Sequence, residues 1–168
     1  MADLTQVRRW ADALIVLHLD PSWDFGFDNA KKRAGLCSFT TRRITLSRYL
    51  AARYDDDVVH QILLHEVAHA LAGARAGHGP RWKSVARDLG YDGTRTHDGD
   101  IADELAPWVG TCPAGHVHYR YRRPTRALAC GLCARSFDSE HLIGWTRREI
   151  TAATRRQAAA AAPTERPR

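Results

Sequence analysis

The chain has 168 residues, of which 44% are hydrophobic, and its formal net charge at pH 7 is +6. A chain of this length buries about 70% of its unfolded surface, so it can build a core without disulfide bonds. No stretch reaches the roughly 18 apolar residues of a membrane span, and the first residues lack the basic and apolar regions of a signal peptide. These features argue against a secreted disulfide scaffold and an integral membrane protein, and we expect a cytoplasmic protein without membrane contact.

The charge is distributed unevenly along the chain. Residues 1–111 contain 14 Lys and Arg against 15 Asp and Glu, whereas residues 112–168 contain 11 against 4, a balance of +7. Any contact with a polyanion is therefore expected in the last third of the chain. In a reducing cytoplasm, the four cysteines are expected to be thiols or metal ligands and not disulfides.

The first predicted elements are a helix and a small sheet. Apolar side chains recur at helical spacing across residues 3–18. Residues 23–27 alternate aromatic and polar positions, and residues 36–40 and 44–47 are two further β-prone runs. The simplest arrangement is a three-stranded antiparallel sheet, in which Cys37 would be an ordinary small core residue.

Two helices are predicted after the sheet. Acidic residues at 55–57 favour a helix N-terminus because they complement the helix dipole, and Gly77 is expected just past the end of that helix. Pro80 suits the first position of the next helix, which Gly90 would end. Residues 91–104 are polar and rich in turn-forming residues.

The long helix carries the string His65-Glu66-Val67-Ala68-His69. Histidines four residues apart lie one turn apart on the same helix face, so both imidazoles can reach one zinc ion. A carboxylate beside them can take a proton from a metal-activated water as it attacks a peptide carbonyl, which is how metallopeptidases with this motif work. Unpaired polar groups would be costly to bury in this apolar stretch. We therefore predict His65 and His69 as zinc ligands and Glu66 as the general base.

A catalytic zinc needs a third protein ligand, and more than one candidate is available. The metzincin spacing would require glycine at position 72 and histidine at position 75, whereas this chain has Ala72 and Arg75. His78 comes just after the helix and could fold back toward the metal, while Asp88 on the next helix is the carboxylate alternative. His97 lies in a polar, turn-like segment and is less suited to bind a metal.

These residues resemble the SprT-like family of zinc metallopeptidases, which includes the eukaryotic protease Spartan. Four segments between residues 4 and 145 carry the resemblance: His65-Glu66-Val67-Ala68-His69-Ala70-Leu71, His78-Gly79-Pro80-Arg81-Trp82-Lys83, Ala34-Gly35-Leu36-Cys37 and Ile44-Thr45-Leu46-Ser47. The resemblance implies that His78 is the third ligand and that the substrate is a polypeptide. It also implies an α+β fold with a zincin-like metallopeptidase core, in which the zinc motif lies on a long helix beside a small antiparallel sheet.

SprT-like proteins often continue into a small zinc ribbon, so the resemblance also implies a zinc-ribbon-like β element here. Four side chains are predicted to hold a structural zinc ion, namely Cys112, His116, Cys130 and Cys133. The family pattern usually has a cysteine where this chain has Gly115, and His118 is the alternate to His116 as the missing ligand. One catalytic and one structural zinc are therefore expected.

The basic end of the chain suggests a second partner. Arg120, Arg122 and Arg123 are interleaved with Tyr119 and Tyr121. Arginines neutralise phosphates and tyrosines stack on exposed bases, so DNA or another nucleic acid is a predicted partner. The same residues are equally compatible with a solvated edge strand that has a basic outer face. Spartan-type enzymes act on proteins attached to DNA, which favours the first interpretation.

Three parts follow from these patterns. We expect a SprT-like zinc metallopeptidase domain over residues 1–108, a zinc-ribbon-like module over residues 109–145, and a basic Ala/Arg/Pro-rich tail over residues 146–168 that is helical at first and disordered at its end. The predicted function is zinc-dependent peptide hydrolysis, directed at nucleic-acid-associated proteins. The alternative is a non-enzymatic zinc-containing protein that binds nucleic acid or regulates another protein. Hydrolysis of a non-peptide amide or ester by the same zinc site is a third hypothesis.

Overall fold

The computed structural model describes residues 2–93 and 102–159. They form two compact units, the first built from residues 2–93 and the second spanning Ala102–Ala158. The mixture of helices and small sheets confirms the predicted α+β class. No helix within the two described ranges is long and apolar enough to cross a membrane.

Helix α1 (Leu4–His18) closely matches the predicted helix. Its N-cap residue, Asp3, accepts a hydrogen bond from the backbone N–H of Thr5, which satisfies one of the free donors of the first turn. Apolar residues spaced by four bury one face of the helix, namely Val7, Ala11 and Ile15.

The first unit contains a sheet of three short strands in the order β1-β3-β2. These strands are β1 (Asp24–Asp28), β2 (Gly35–Ser38) and β3 (Arg43–Ser47). Strand β2 is antiparallel to β3 as expected, but β1 runs parallel to β3. The all-antiparallel prediction is therefore wrong, because alternation along a strand identifies its two faces and not its neighbours or their direction. Strand β2 lies at one edge of the sheet.

Asp28 anchors the connection that allows β3 to pair between β1 and β2. One of its carboxylate oxygens accepts the backbone N–H of Ala30 at 2.8 Å. The other accepts hydrogen bonds from Arg33 at 2.6 Å and from the Thr45 hydroxyl at 2.7 Å. The Ser47 hydroxyl donates to the Ala30 carbonyl at 2.6 Å. These polar contacts tie the β1–β2 connection to the central strand.

Three helices follow the sheet: α2 (Arg48–Ala51), α3 (Asp56–Ala72) and α4 (Pro80–Asp88). Pro80 is the first residue of α4 and Gly90, just beyond it, has a φ of 86°, as the sequence predicts. The core of the first unit lies between α1, α3 and the sheet. Its largest fully buried apolar side chains are Ile44, Leu46, Leu50, Leu63, Val7, Val59 and Val67.

The end of α3 differs from the prediction. The residue that follows the helix is Gly73, with a φ of 91°, and not Gly77. Glycine adopts this left-handed conformation without a Cβ clash, so it can end a helix at that point. The chain consequently leaves α3 four residues earlier than expected.

The second unit is organised around an antiparallel sheet in the order β5-β4-β6. Its strands are β4 (Trp108–Thr111), β5 (Val117–Arg120) and β6 (Gly144–Arg147). Single turns of 3-10 helix occur at Asp103–Leu105 and Ser139–His141. We expected a zinc-ribbon-like β element here, but the sequence did not indicate β4 or β6, each of which is only four residues long.

Helix α5 (Ala152–Ala158) lies in the predicted tail, in which a helix was expected, but the first two residues of that tail belong to β6. The expected disorder concerns residues 160–168, which lie outside the described residues. The expected boundary after residue 108 falls inside β4 (Trp108–Thr111), whereas the second unit begins at Ala102. The compact units do not correspond one to one with the three predicted parts, so the predicted extents of those parts stay predictions.

Candidate metal centres

Three histidines of the first unit converge on one point. His65 and His69 lie one turn apart on α3, and His78 comes from the connection between α3 and α4. Each of the three Nε2 atoms is 3.1 Å from the other two. Tetrahedral zinc with bonds of about 2.0–2.1 Å would separate its ligand nitrogens by about 3.3–3.4 Å, so the triangle has the size that one zinc ion requires.

The imidazoles cannot satisfy this triangle by themselves. A neutral imidazole has one N–H and one acceptor nitrogen, so three mutually facing Nε2 atoms cannot all form good hydrogen bonds with one another. Burial lowers the pKa of His69, and the nearby His78 lowers it further. The lowered pKa favours the neutral imidazole, which is the form that binds a metal. The donor set therefore fits a divalent cation.

A compact return after α3 brings His78 to the other two histidines. The Ala76 N–H donates to the Gly73 carbonyl at 3.0 Å, and the Gly79 N–H donates to the Ala76 carbonyl at 2.9 Å. A Cβ at residue 79 would lie 2.9 Å from the Ala76 oxygen, so the residue after His78 must be small. The early end of α3 is thus what allows the third histidine to reach the other two.

The other candidates for the third ligand are not part of this group. Asp88 is exposed at the last residue of α4, and the described metal-ligand group contains only His65, His69 and His78. His97 lies outside the described residues.

The carboxylate of Glu66 is held at strand β2. Glu66 is 8% exposed, and the backbone N–H of Cys37 donates to its carboxylate. A Cβ built on Gly35 would lie 2.5 Å from Glu66 Oε1, so the carboxylate packs directly on the glycine backbone. Burial raises the pKa of Glu66 to about 7, while the Arg33 charge and the Cys37 hydrogen bond act in the opposite direction. The sequence pointed to Glu66 but not to this role of Gly35.

An aromatic pair next to the histidines was also missed. The Trp82 ring contacts all three imidazoles, and Tyr91 contacts both His65 and Trp82. The sequence indicated Trp82 only as part of the segment 78–83 that resembles the SprT-like family. A histidine and a tryptophan four residues apart at a helix start could have signalled this contact, because such side chains are neighbours.

A second group of ligands lies in the other unit. Its members are Cys112, His116, Cys130 and Cys133, and their ligand atoms all lie within 4.8 Å of one another. The Cys112 and Cys133 sulfurs are 3.8 Å apart, and His116 Nδ1 is 3.3–3.6 Å from the three sulfurs. Tetrahedral zinc with Zn–S of about 2.3 Å and Zn–N of about 2.0–2.1 Å would give S–S of about 3.8 Å and S–N of about 3.5–3.6 Å. These spacings fit a Cys₃His zinc site.

His118 lies beside this group. Its Nε2 is 3.2 Å from Cys130 Sγ, which is a hydrogen-bonding distance to a thiolate. Gly115 has a φ of 84° and its N–H donates to the Cys112 carbonyl at 2.9 Å, so it forms the turn that presents His116. The structure thus brings His116 into the ligand group and leaves His118 next to one ligand.

The basic residues of β5 and its following turn surround two tryptophans. A cleft of about 350 Å³ is lined by Trp108, Trp145 and the segment 123–127. The guanidinium of Arg123 lies 5.9 Å from the Trp108 ring, and that of Arg120 lies 6.0 Å from the Trp145 ring. Of the remaining residues in the predicted basic stretch, Arg122 is exposed, while Tyr119 lies under the Arg148 guanidinium at 5.7 Å.

Comparison with known proteins relates the first unit to a family. A model of the SprT-like family matches residues 5–99. An uncharacterized protein of Methanocaldococcus jannaschii is 29% identical to this chain over 58 residues. The matched residues are 34% of this chain and 53% of that protein, so the chain spans about half the length of this curated relative. The crystal structure of the metallopeptidase zymogen jannalysin from the same organism is similar with a TM-score of 0.44 and 21% identity, covering 52% of this chain and 82% of that one. Because the family model matches more than half of the chain, the chain belongs to the SprT-like family.

Proposed function

We propose that the chain is a zinc-dependent peptidase, with His65, His69 and His78 as the zinc ligands and Glu66 as the general base. The observation behind this proposal is the triangle of Nε2 atoms, 3.1 Å apart, on and next to a helix that also carries the buried Glu66. Three protein ligands leave a fourth zinc position for water or substrate, which is the pattern of catalytic sites and not of structural ones.

Zinc bound here would lower the pKa of a water molecule to about 7 and polarise a substrate carbonyl. Glu66 would accept the proton of the attacking water and pass it to the leaving amine. Its carboxylate is fixed between the Cys37 N–H and the Gly35 backbone, so the base is already ordered before a substrate binds.

Within residues 2–93 and 102–159 no strand pairs with the outer edge of β2, and this edge supports a polypeptide as the substrate. The Ser47 N–H donates to the Ala34 carbonyl at 2.8 Å. Hydrogen-bonded pairs alternate along an antiparallel ladder, so Gly35 and Cys37 direct their backbone groups away from β3. An extended peptide can add to such an edge as a further strand. The Cys37 N–H is already bound to Glu66 at this edge, so a peptide would pair with the Gly35 backbone groups and the Cys37 carbonyl and would lie beside the general base.

The proposal is tested by comparing peptide cleavage by the parent chain and by Glu66→Gln, with the zinc content of both measured. We expect the variant to retain zinc and to lose at least about 100-fold in cleavage rate, the scale of general-base catalysis. Cleavage by the parent that is unchanged in Glu66→Gln would contradict the mechanism. A panel that includes non-peptide amides and esters separates peptidase action from the third hypothesis.

We also propose that the second ligand group holds a structural zinc. Four protein ligands with three thiols leave no position for a substrate. A bound zinc ion would stabilise the sheet formed by β4, β5 and β6, because three strands of four residues bury little apolar surface by themselves. The chain would then bind two zinc ions, one in each unit.

Nucleic acid is the proposed second partner, and the cleft of the second unit is the observation that favours it. Trp108 and Trp145 offer ring surfaces on which a base can stack, and Arg123 and Arg126 at the same cleft can neutralise a phosphate. The +7 charge balance of residues 112–168 would attract the polyanion to this unit. In this proposal the second unit recruits the peptidase to nucleic-acid-associated proteins. A binding measurement with Arg123→Ala/Arg126→Ala tests it.

A further inference from the structure

Trp82 lies against all three proposed zinc ligands. Its ring centroid is 4.8 Å from that of His65, 5.3 Å from that of His69 and 4.6 Å from that of His78. Trp82 is 6% exposed and is the third residue of α4, four positions after His78. One side chain therefore contacts histidines that come from two separate elements.

Tyr91 packs against this tryptophan and against one of the histidines. Its ring centroid is 5.7 Å from that of Trp82 and 5.5 Å from that of His65. The side chain of Gln61, one turn before His65 on α3, holds the backbone on both sides of Tyr91. It donates to the carbonyl of the preceding residue at 3.4 Å and accepts the N–H of the following residue at 3.0 Å.

Trp82 acts on the histidines through the shape of its ring and not through a hydrogen bond to the described residues. Its indole Nε1 is buried and has no hydrogen-bond partner in the described part of the chain. As far as residues 2–93 and 102–159 show, the tryptophan is therefore held by packing and not by a hydrogen bond. Its flat surface instead limits the rotation of imidazoles that must all aim Nε2 at one point. Ligands that are already oriented lose less conformational freedom when the metal binds.

We propose that Trp82, backed by Tyr91, is a positioning residue that fixes the three histidines in the orientation in which they bind zinc. The proposal rests on the proposed function, in which these histidines are the ligands. The simpler interpretation is that Trp82 only fills the core between α3 and α4, where it packs with Ala68, Ala72 and Ala86. Both interpretations predict a loss of stability on substitution, but only the first predicts a loss of metal affinity beyond that of a comparable core substitution.

The full chain offers a matched control. Trp10 is a partly buried tryptophan whose ring lies edge-on to His60 at 5.9 Å, and His60 is on the same helix as the ligands but is not one of them. The variants are therefore Trp82→Leu and Trp10→Leu. Zinc affinity of the histidine site is measured by competition with a chelator, and thermal unfolding of each variant is followed in parallel. Loading with Co²⁺ separates the two centres, because thiolate ligands give a charge-transfer band that an all-histidine site lacks.

We expect Trp82→Leu to weaken zinc binding at the histidine site by about 10–100-fold, the usual effect of removing a group that orients a metal ligand. The visible Co²⁺ spectrum of that site should also change. Trp10→Leu should keep the zinc affinity within about 3-fold of the parental value and leave the Co²⁺ spectrum unshifted, although it lowers the unfolding temperature. A zinc affinity of Trp82→Leu equal to that of the parent chain, together with an unchanged Co²⁺ spectrum, would overturn the proposal.

A more conservative variant covers the case in which Trp82→Leu does not fold. Trp82→Phe retains an aromatic ring and loses no hydrogen bond to the described residues, so it should fold, bind zinc several-fold more weakly and shift the Co²⁺ spectrum. Parent-like affinity and spectrum in Trp82→Phe would then overturn the proposal. A parent chain that binds no metal at His65, His69 and His78 would instead contradict the proposed function, so the two failures are distinguishable.

Discussion

Gly35 lies directly beneath the carboxylate of Glu66. A Cβ at residue 35 would be 2.5 Å from Glu66 Oε1 and 2.8 Å from its Cγ, distances that real contacts do not show. The glycine is thus required by the space that the carboxylate occupies. It is also the first residue of β2, so the same strand sets the position of the proposed base and forms the sheet edge at which we propose that a peptide adds.

Gly35→Ala is therefore expected to displace Glu66 while leaving the metal ligands intact. The added methyl group must push the carboxylate away, and a displacement of about 1 Å can reduce an enzymatic rate by about 100-fold. We expect peptide cleavage to fall by about 10–100-fold and the zinc content to stay at the parental value. Steady-state cleavage and elemental analysis of the same samples measure both quantities.

Gly26→Ala is the matched control for that variant. Gly26 lies in β1 of the same sheet, and the three atoms nearest to a Cβ there belong to the side chain of Arg43, which is about half exposed and can move aside. The control should cleave at close to the parental rate. If both alanine variants lose activity equally, the loss reflects the sheet as a whole and the contact between Gly35 and Glu66 is not its cause.

Local periodicity was enough to predict much of this site. His65 and His69 are four residues apart, so they lie on the same face of any regular α-helix. The motif that contains them also includes Glu66, the proposed base. The helices α1, α3 and α4 were also evident from apolar spacing and from Pro80. The SprT-like resemblance added His78, which local spacing alone left open with Asp88.

The features that were not predicted depend on contacts between distant parts of the chain. The parallel pairing of β1 with β3 joins distant segments, and the Thr45 hydroxyl donates across it to Asp28, seventeen residues earlier. The packing of Gly35 on Glu66 joins residues 31 positions apart in the sequence. Strands β4 and β6 are too short to show a period of two over several cycles.

Two zinc ions per chain are the expected metal content, one from each ligand group. His78→Ala should reduce the content to about one ion, because two histidines alone hold zinc weakly. Cys130→Ser should also reduce it to about one, but by emptying the thiolate site. Elemental analysis gives the number, and the Co²⁺ charge-transfer band shows which site is filled. A single ion that survives His78→Ala and disappears in Cys130→Ser would contradict the catalytic site.

His116 and His118 should respond differently to substitution. His116 Nδ1 is 3.3–3.6 Å from the three sulfurs, so His116→Ala removes a ligand and should greatly weaken zinc binding in the second unit. His118 Nε2 approaches only one sulfur, at 3.2 Å, so His118→Ala should cost about 10–100-fold through loss of a hydrogen bond to a ligand. Chelator competition on the Co²⁺ thiolate band compares the two. A larger loss in His118→Ala would reverse the assignment.

The cleft of the second unit predicts a nucleic-acid interaction that depends on where positive charge is removed. Arg123→Ala/Arg126→Ala removes two arginines from the cleft, whereas the control Arg155→Ala/Arg156→Ala removes two exposed arginines from α5. Both doubly substituted chains have the same net charge, so a purely global attraction would weaken equally in both. The measurement is the binding of a single-stranded oligonucleotide over a series of salt concentrations. We expect binding by the parent chain to weaken steeply with salt. The slope of the logarithm of the binding constant against the logarithm of the salt concentration should fall by about 1–2 in the cleft variant and change little in the control. Equal slopes in the two variants would place the interaction outside the cleft. A parent chain that does not bind would contradict the proposed role of the second unit in recruiting the chain to nucleic acid.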